Sequence, residues 1–208
     1  AFLNTYSYVI PKVVFTVISS VIAAYGFSRF KFKGRDFLFG VMIMTLFLPQ
    51  VVLNVPQYMM YNKFDWINNP LYPALWVPSL FATETYFVYQ LVQFMRSIPH
   101  DLDEAAAIDG IKNRWQELWY VTLPAMKPQL MFGAVMQITQ SFAVADISIN
   151  LAGNPSVNYA GATIVTHLLD YGSTRMEMGY ACAIATILFL LMVGTNKLVQ
   201  RVLRRVGE

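Results

Sequence analysis

Charged side chains are scarce in this sequence. Asp, Glu, Lys and Arg together make up 13% of its 208 residues, whereas hydrophobic residues make up 56% and the mean hydropathy is +0.45. A soluble globular domain of ordinary composition carries about 25% charged residues. The shortage of charge therefore excludes an ordinary soluble domain and indicates an integral membrane protein with a single domain.

Residues needed for several kinds of chemistry are also missing. Cys182 is the only cysteine, which excludes a disulfide framework. His100 and His167 stand alone, without the spacing of metal ligands, so no metal site is expected. The sequence contains no G-x-x-x-x-G-K-S/T phosphate loop, catalytic triad or basic nucleic-acid patch. We therefore expect no catalytic residue, no cofactor bound by this chain and no nucleic-acid partner.

Long apolar runs are what the sequence does have. A helix that crosses a bilayer needs about 20 mostly apolar residues, and a barrel is excluded because these runs do not alternate. The predicted fold is therefore an all-α integral membrane protein with five transmembrane helices. Pro49 should kink the second span, Pro73 and Pro78 the third, and Lys12 should sit near one interface of the first. The predicted spans are about 8–27, 37–58, 73–95, 128–145 and 178–196.

The basic residues predict the orientation of these spans. Twelve of the fifteen lie in the first loop, in the segment from Arg96 to Lys127 and in the C-terminal tail, which five spans place on one side. Because cytoplasmic loops are enriched in Lys and Arg, that side is predicted to be cytoplasmic, and the segment 146–177 external. No cleavable signal peptide is evident, and a further N-terminal span is expected upstream of Ala1.

The loop 97–127 carries the signals of two short helices. Asp101 and Glu104 form a capping-box pattern, and Gly110 ends the first helix in the manner of a left-handed C-terminal glycine. Asn113 begins a second helix, which runs to Pro124. One face of it is predicted to comprise Trp115, Leu118, Trp119 and Thr122. The pattern alone fits either a docking element for a soluble partner or an amphipathic connector at the membrane surface.

The amino-acid sequence of this loop also resembles that of a known protein family. RSIPHDLDEAAAIDG followed by VTLPAMKP resembles the EAA loop of binding-protein-dependent ABC importers, and in particular the carbohydrate permeases of the maltose-permease class. The spacer after Gly110 is one residue longer than the family pattern, around Ile111 and Lys112. NTYSYVI, AAYGFSRFKFKGRD and MGYACAIATILFLL extend the resemblance along the chain. The family pattern falls on Glu104, Ala105, Ala106, Gly110, Val121, Leu123 and Pro124.

The resemblance implies a transport subunit rather than an enzyme. Its partners would be a second homologous permease, two copies of a cytoplasmic ABC ATPase that uses ATP and Mg²⁺, an external solute-binding protein and membrane lipid. The chain would be a multi-pass protein of a bacterial-type inner membrane, with its C-terminus in the cytoplasm. The residues implied to couple it to the ATPase are Glu104, Ala105, Ala106, Asp109, Gly110, Leu123 and Pro124.

Polar residues inside the predicted spans are candidates for a substrate pathway. Amides and hydroxyls suit the OH groups of a sugar and aromatic rings suit its apolar face, although buried amides also join helices without any transport role. An ionised Glu84 in the third span would be costly and is a candidate for function. Two alternatives stay open, a secondary transporter with Glu84 as its proton site and a membrane scaffold. The candidate residues are Gln50, Asn54, Tyr58, Glu84, Gln137 and Gln140.

Overall fold

A computed structural model describes residues 2–67, 69, 73–99, 102, 108, 110–111, 113–142, 149 and 162–204. Every regular element within these residues is helical, which confirms the all-α prediction. The α-helices in chain order are α1 (Phe2–Arg29), α2 (Arg35–Thr45), α3 (Gln50–Lys63), α4 (Pro73–Trp76), α5 (Thr85–Ser97), α6 (Arg114–Glu117), α7 (Leu123–Ala125), α8 (Lys127–Phe142), α9 (Ile164–Leu169) and α10 (Met178–Arg204).

Three segments connect α-helices through tighter or wider helical turns. Val77–Phe81 is a 3₁₀-helix directly after α4, and Leu118–Thr122 and Asp170–Thr174 are π-helical. Single π-turns inside helices are uncommon and often lie at functional sites. The one after α6 joins it to α7, so the second half of the predicted loop 97–127 is nearly continuous helix.

Two helices of the described chain are long and apolar enough to cross a membrane by length and composition. They are Thr5–Arg29 within α1 and Met178–Arg201 within α10. They coincide with the first and fifth predicted spans. The fourth predicted span coincides with α8 up to Phe142, and its last three residues lie outside the described chain.

The second predicted span is broken at Pro49, where the sequence predicted only a kink. The run is divided into α2 and α3, and the chain between them, from Leu46 to Pro49, is not α-helical. Pro49 has φ −61° and ψ 126°, an extended conformation. Because proline lacks an N–H and disfavours helical backbone in the residue before it, the expected kink becomes a break. Pro56 lies within α3 and does not interrupt it.

The third predicted span is broken as well. Pro73 starts α4, and Pro78 lies in the 3₁₀-helix that follows it. Ala82 then adopts a left-handed conformation at φ 52°, and α5 begins only at Thr85. Glu84 is therefore the residue directly before α5. The sequence had instead placed it near the middle of the third membrane-spanning helix.

Helix α1 is the centre of the fold. It packs against α5, α8, α4 and the 3₁₀-helix, while α8 also packs against α10. The small side chains of Ser20 and Ala24 are fully buried on α1, as expected for a packing face. Beside α1, Phe87 of α5 covers Gly133 of α8 so closely that a Cβ at Gly133 would overlap its ring. The buried residues of α5 in this core are Phe87, Val88, Leu91, Val92 and Met95.

Candidate functional site

A polar cavity of about 430 Å³ lies where the two helix breaks meet α1. Its walls come from α1, from α3, from the end of α2 and from the segment that runs from α4 to the start of α5. This volume is within the range of small-molecule sites, roughly 300–1,000 Å³. The residues with polar side chains that line it are Tyr8, Lys12, Thr45, Gln57, Tyr61, Ser79, Thr83, Glu84 and Thr85.

Hydrogen bonds hold the broken segments around this cavity. The hydroxyl oxygens of Thr45 and Thr85 are 3.1 Å apart, which joins the end of α2 to the start of α5. The Ser19 hydroxyl donates to the Ser79 carbonyl at 2.6 Å, which joins α1 to the 3₁₀-helix. Within a bilayer, non-helical backbone is tolerated only where protein buries it or where it lines a water-filled cavity. The polar cavity therefore explains why non-helical backbone is tolerated at the two helix breaks.

Two opposite charges face the cavity. Lys12 of α1 and Glu84 before α5 interact electrostatically and both are partly exposed to the cavity. They form no direct ion pair in the part of the chain that the structure describes, and the Glu84 side chain does not cap α5. Lys12 is about 25 Å along α1 from Arg29 and about 15 Å from Phe2, at 1.5 Å per residue. Lys12 therefore lies well inside α1, not near its end.

The structure separates the residues that the sequence had grouped as a substrate pathway. Glu84 lines the cavity, whereas Tyr58 is exposed on α3 and Asn54 is half-buried there without lining it. Gln50 starts α3, but its side chain lies outside the described part of the structure. The residues of α3 that line the cavity are instead Leu53, Gln57 and Tyr61.

The two amides of α8 have different surroundings. Gln137 is 4% exposed, and its Oε1 has no hydrogen-bond partner among the described residues, while Gln140 is exposed. Neither lines the cavity. Sequence reasoning also missed Lys12 as a cavity residue, since it placed that residue near an interface. A lone lysine within an apolar run was the available signal, because ionisable groups at such positions face an interior or a cavity.

The structure describes only part of the predicted coupling loop. Glu104, Ala105, Ala106 and Asp109 lie outside the described residues. Gly110 is exposed at φ +94°, which confirms the left-handed conformation that the sequence predicts for it. A Cβ added there would meet no atom within 4 Å, so its constraint is conformational rather than steric.

The second helix of the loop starts as predicted but presents two faces rather than one. The Asn113 side chain accepts a hydrogen bond from the Trp115 N–H and caps α6. Leu118 and Thr122 are 4% and 0% exposed, whereas Trp115 and Trp119 are 64% and 61% exposed. The predicted single face is therefore wrong, because the boundary of burial runs between these two pairs. Leu123 and Pro124 of α7 are half-buried.

This second helix is joined to α1. The Tyr25 hydroxyl donates to the Arg114 carbonyl at 3.1 Å. The Arg114 guanidinium in turn binds the buried Glu117 carboxylate at 2.7 Å, and Glu117 lies against the Tyr25 hydroxyl. Tyr25 is itself part of the core formed by α1 and α5. These contacts join the second helix of the loop to the core around α1.

Removing the Tyr25 hydroxyl should weaken this junction. Tyr25→Phe is expected to lower the free energy of unfolding by about 1 kcal/mol, the net value of one hydrogen bond. For a chain of this size that corresponds to a fall of about 2–4 °C in Tm in detergent. Tyr180→Phe, at a half-exposed tyrosine of α10, serves as the control and should leave Tm unchanged. Equal Tm values for Tyr25→Phe and the unmodified chain would contradict the proposed junction.

Comparison with known proteins gives a family for this arrangement. The family of binding-protein-dependent transport system inner membrane components matches residues 16–207. A diacetylchitobiose uptake system permease of Streptomyces coelicolor is 26% identical over 198 residues, which are 92% of this chain and 63% of the relative. A trehalose/maltose transport system permease of Thermococcus litoralis is 34% identical over 128 residues, which are 61% of this chain and 45% of the relative. The chain thus spans less than two thirds of the length of these relatives.

A solved structure supports the fold. The crystal structure of a bacterial ABC transporter involved in the import of the acidic polysaccharide alginate aligns with a TM-score of 0.78. The alignment covers 100% of this chain and 79% of the other, at 19% sequence identity. Together with the family match over residues 16–207, these similarities confirm the resemblance drawn from the sequence. This chain belongs to the family of binding-protein-dependent transport system inner membrane components.

Proposed function

We propose that this chain is a membrane-spanning permease subunit of an ATP-driven importer, and that its cargo is a sugar or oligosaccharide. The observation that carries this proposal is the polar cavity at the two helix breaks, in a member of a transport family. Relatives named for diacetylchitobiose and for trehalose and maltose support the choice of a carbohydrate. Cargo would reach the cavity from an external solute-binding protein and leave to the cytoplasm by alternating access.

The membrane topology belongs to the same proposal. The chain is proposed to cross the membrane five times, as the sequence predicts. Helices α2 and α3 together form one interrupted crossing beside the cavity, and α4 and α5 form another. The C-terminus and the loop 97–127 face the cytoplasm, because together with Arg96 and the first loop they carry twelve of the fifteen basic residues. The protein is a multi-pass component of a bacterial inner membrane and works beside a second permease subunit.

The energy would come from a separate ATPase. The loop 97–127 is proposed to dock on it through Glu104, Ala105, Ala106, Asp109 and Gly110, with Leu123 and Pro124 closing the motif. The bond from Tyr25 to Arg114 offers the route by which ATPase closure reaches α1. Two ATPase copies would serve the pair of permeases and use ATP and Mg²⁺, and no part of this chain is proposed to bind either.

The experiment that tests this function is uptake by the whole complex in proteoliposomes. We expect labelled maltose or diacetylchitobiose to accumulate only when the binding protein and ATP are both present. Collapse of the proton gradient should leave uptake unchanged. Uptake that ignores ATP and stops on collapse of the gradient would favour a secondary transporter with Glu84 as its proton site instead.

A substitution at Gly110 should reduce that uptake. Gly110→Val forces a β-branched residue into positive φ, which costs about 1 kcal/mol or more, and ATP-driven uptake is expected to fall by about tenfold. Gly34→Val is the matched control, because Gly34 also has positive φ, +87°, and open space around it, but lies outside the loop 97–127. Similar losses in the two variants would show that general backbone strain, not coupling, was responsible.

A further inference from the structure

We propose that the polar cavity binds a sugar unit without net charge, which bridges the Lys12 ammonium and the Glu84 carboxylate. This inference rests on the proposed function and adds to it both the residues that select the cargo and the charge class they select. It places a cargo-binding site within this chain. It also gives Lys12, an isolated lysine on a helix otherwise rich in apolar residues, a defined role.

The separation of the two charges is the first argument. Lys12 and Glu84 line the same cavity and act on each other electrostatically, yet form no direct ion pair within the described chain. A purely structural pair would gain most by closing to hydrogen-bond distance, since removal from water is costly for unpaired ions. Here the two charged residues instead share a cavity whose lining includes other polar residues.

The chemistry of the two groups is the second argument. An ammonium only donates hydrogen bonds, and an ionised carboxylate only accepts them. A sugar ring presents hydroxyls that can accept from Lys12 and donate to Glu84 at the same time. Hydrogen bonds to charged groups are also stronger than those between neutral groups. One neutral sugar unit can therefore form hydrogen bonds with both charged groups.

A charged sugar would satisfy only one of them. The carboxylate of a uronic acid would attract Lys12 but repel Glu84, and the ammonium of an amino sugar would do the reverse. In a cavity with low dielectric walls such repulsion is much stronger than in water. The opposed charges therefore act as a filter that accepts neutral units and rejects ions of either sign.

The other walls match the remaining surfaces of a sugar. Gln57, Thr85 and Tyr61 also line the cavity, whereas the Ser79 hydroxyl already donates to the Trp76 carbonyl. Tyr61 stacks on Trp66, with ring centroids 5.7 Å apart at 24°, so its ring has a defined orientation. Amide and hydroxyl groups can pair with further sugar hydroxyls, and an aromatic face can cover the apolar face of the ring.

The test is cargo selection by the complete reconstituted complex, with Lys12→Met and Glu84→Gln in this chain. The three probes are maltose as the neutral sugar, digalacturonate as the anionic one and the glucosamine disaccharide as the cationic one. The unmodified complex should prefer maltose. Lys12→Met should lower maltose uptake and raise the ratio of cationic to neutral uptake by about tenfold. Glu84→Gln should raise the ratio of anionic to neutral uptake to a similar degree.

The double variant Lys12→Glu with Glu84→Lys shows whether a loss of uptake in the single variants comes from misfolding. It keeps one charge of each sign and should recover preference for maltose. If both single variants lower all uptake equally, with unchanged ratios, the charge filter is overturned while the importer function stands. If the unmodified complex takes up none of the three probes with ATP, the proposed function and the filter both fail.

Discussion

Placing a methyl group at Gly133 is expected to destabilise the whole helix assembly. Gly133 is buried on α8, and a Cβ built there overlaps the ring of Phe87 on α5. Phe87 is 3% exposed and belongs to the core between α1 and α5, so its ring has little room to move. Overpacking of this kind costs typically 1–3 kcal/mol. We expect Gly133→Ala to lie at the upper end, about 3 kcal/mol.

The measurement is thermal unfolding in detergent, combined with the monodisperse fraction after size exclusion. Gly26→Ala in α1 is the matched control, because a Cβ there meets no atom within 4 Å. Alanine is the better helix former by about 1 kcal/mol, so Gly26→Ala should leave Tm unchanged or raise it. The double variant Gly133→Ala with Phe87→Leu should regain part of the lost stability. Equal behaviour of Gly133→Ala and Gly26→Ala would contradict the close approach of α5 and α8.

Reversing the charge of Glu104 is expected to abolish transport without unfolding the chain. Glu104 begins the EAA motif, and the capping pattern of Asp101 and Glu104 predicts that it lies in the first turn of a helix. A lysine there would meet any basic docking surface with the wrong sign and would oppose the helix dipole. ATP-driven uptake by the reconstituted complex should fall by at least about a hundredfold, the effect of a lost interface charge pair of about 3 kcal/mol.

Glu177→Lys provides the control for charge reversal. Glu177 is exposed beside α10, on the side predicted to be external. Glu177→Lys should therefore change neither folding nor ATP-driven uptake. For Glu104→Lys, Tm and elution volume should stay near those of the unmodified chain. A variant that keeps full uptake would remove Glu104 from the coupling proposal.

The parts of the fold that follow from local pattern could be predicted from the sequence. Helices α1 and α10 are long and mainly apolar runs, and the positive φ of Gly110 agrees with the glycine that follows the predicted capping pattern. The Asn113 cap is equally local, since the side chain bonds an N–H two residues away. In these cases neighbours in sequence supply the decisive interactions.

The parts that depend on distant contacts could not be predicted. Prolines marked the second and third spans as irregular, but whether they kink or divide a helix depends on partners such as Thr45 and Thr85. The same holds for Lys12, which only the position of Glu84 identifies as a cavity residue. The sequence around Gly133 did not indicate that a side chain there would be excluded. That constraint comes from Phe87, which lies 46 positions earlier in the chain.

Affinity purification of this chain from native membranes in mild detergent tests the central claim most directly. If the chain is an importer permease that docks an ATPase through the loop 97–127, an ABC ATPase and a second permease should copurify with it. The Glu104→Lys chain should lose the ATPase and keep the second permease. Absence of any ATPase from the unmodified chain, or its full retention by Glu104→Lys, would contradict the account.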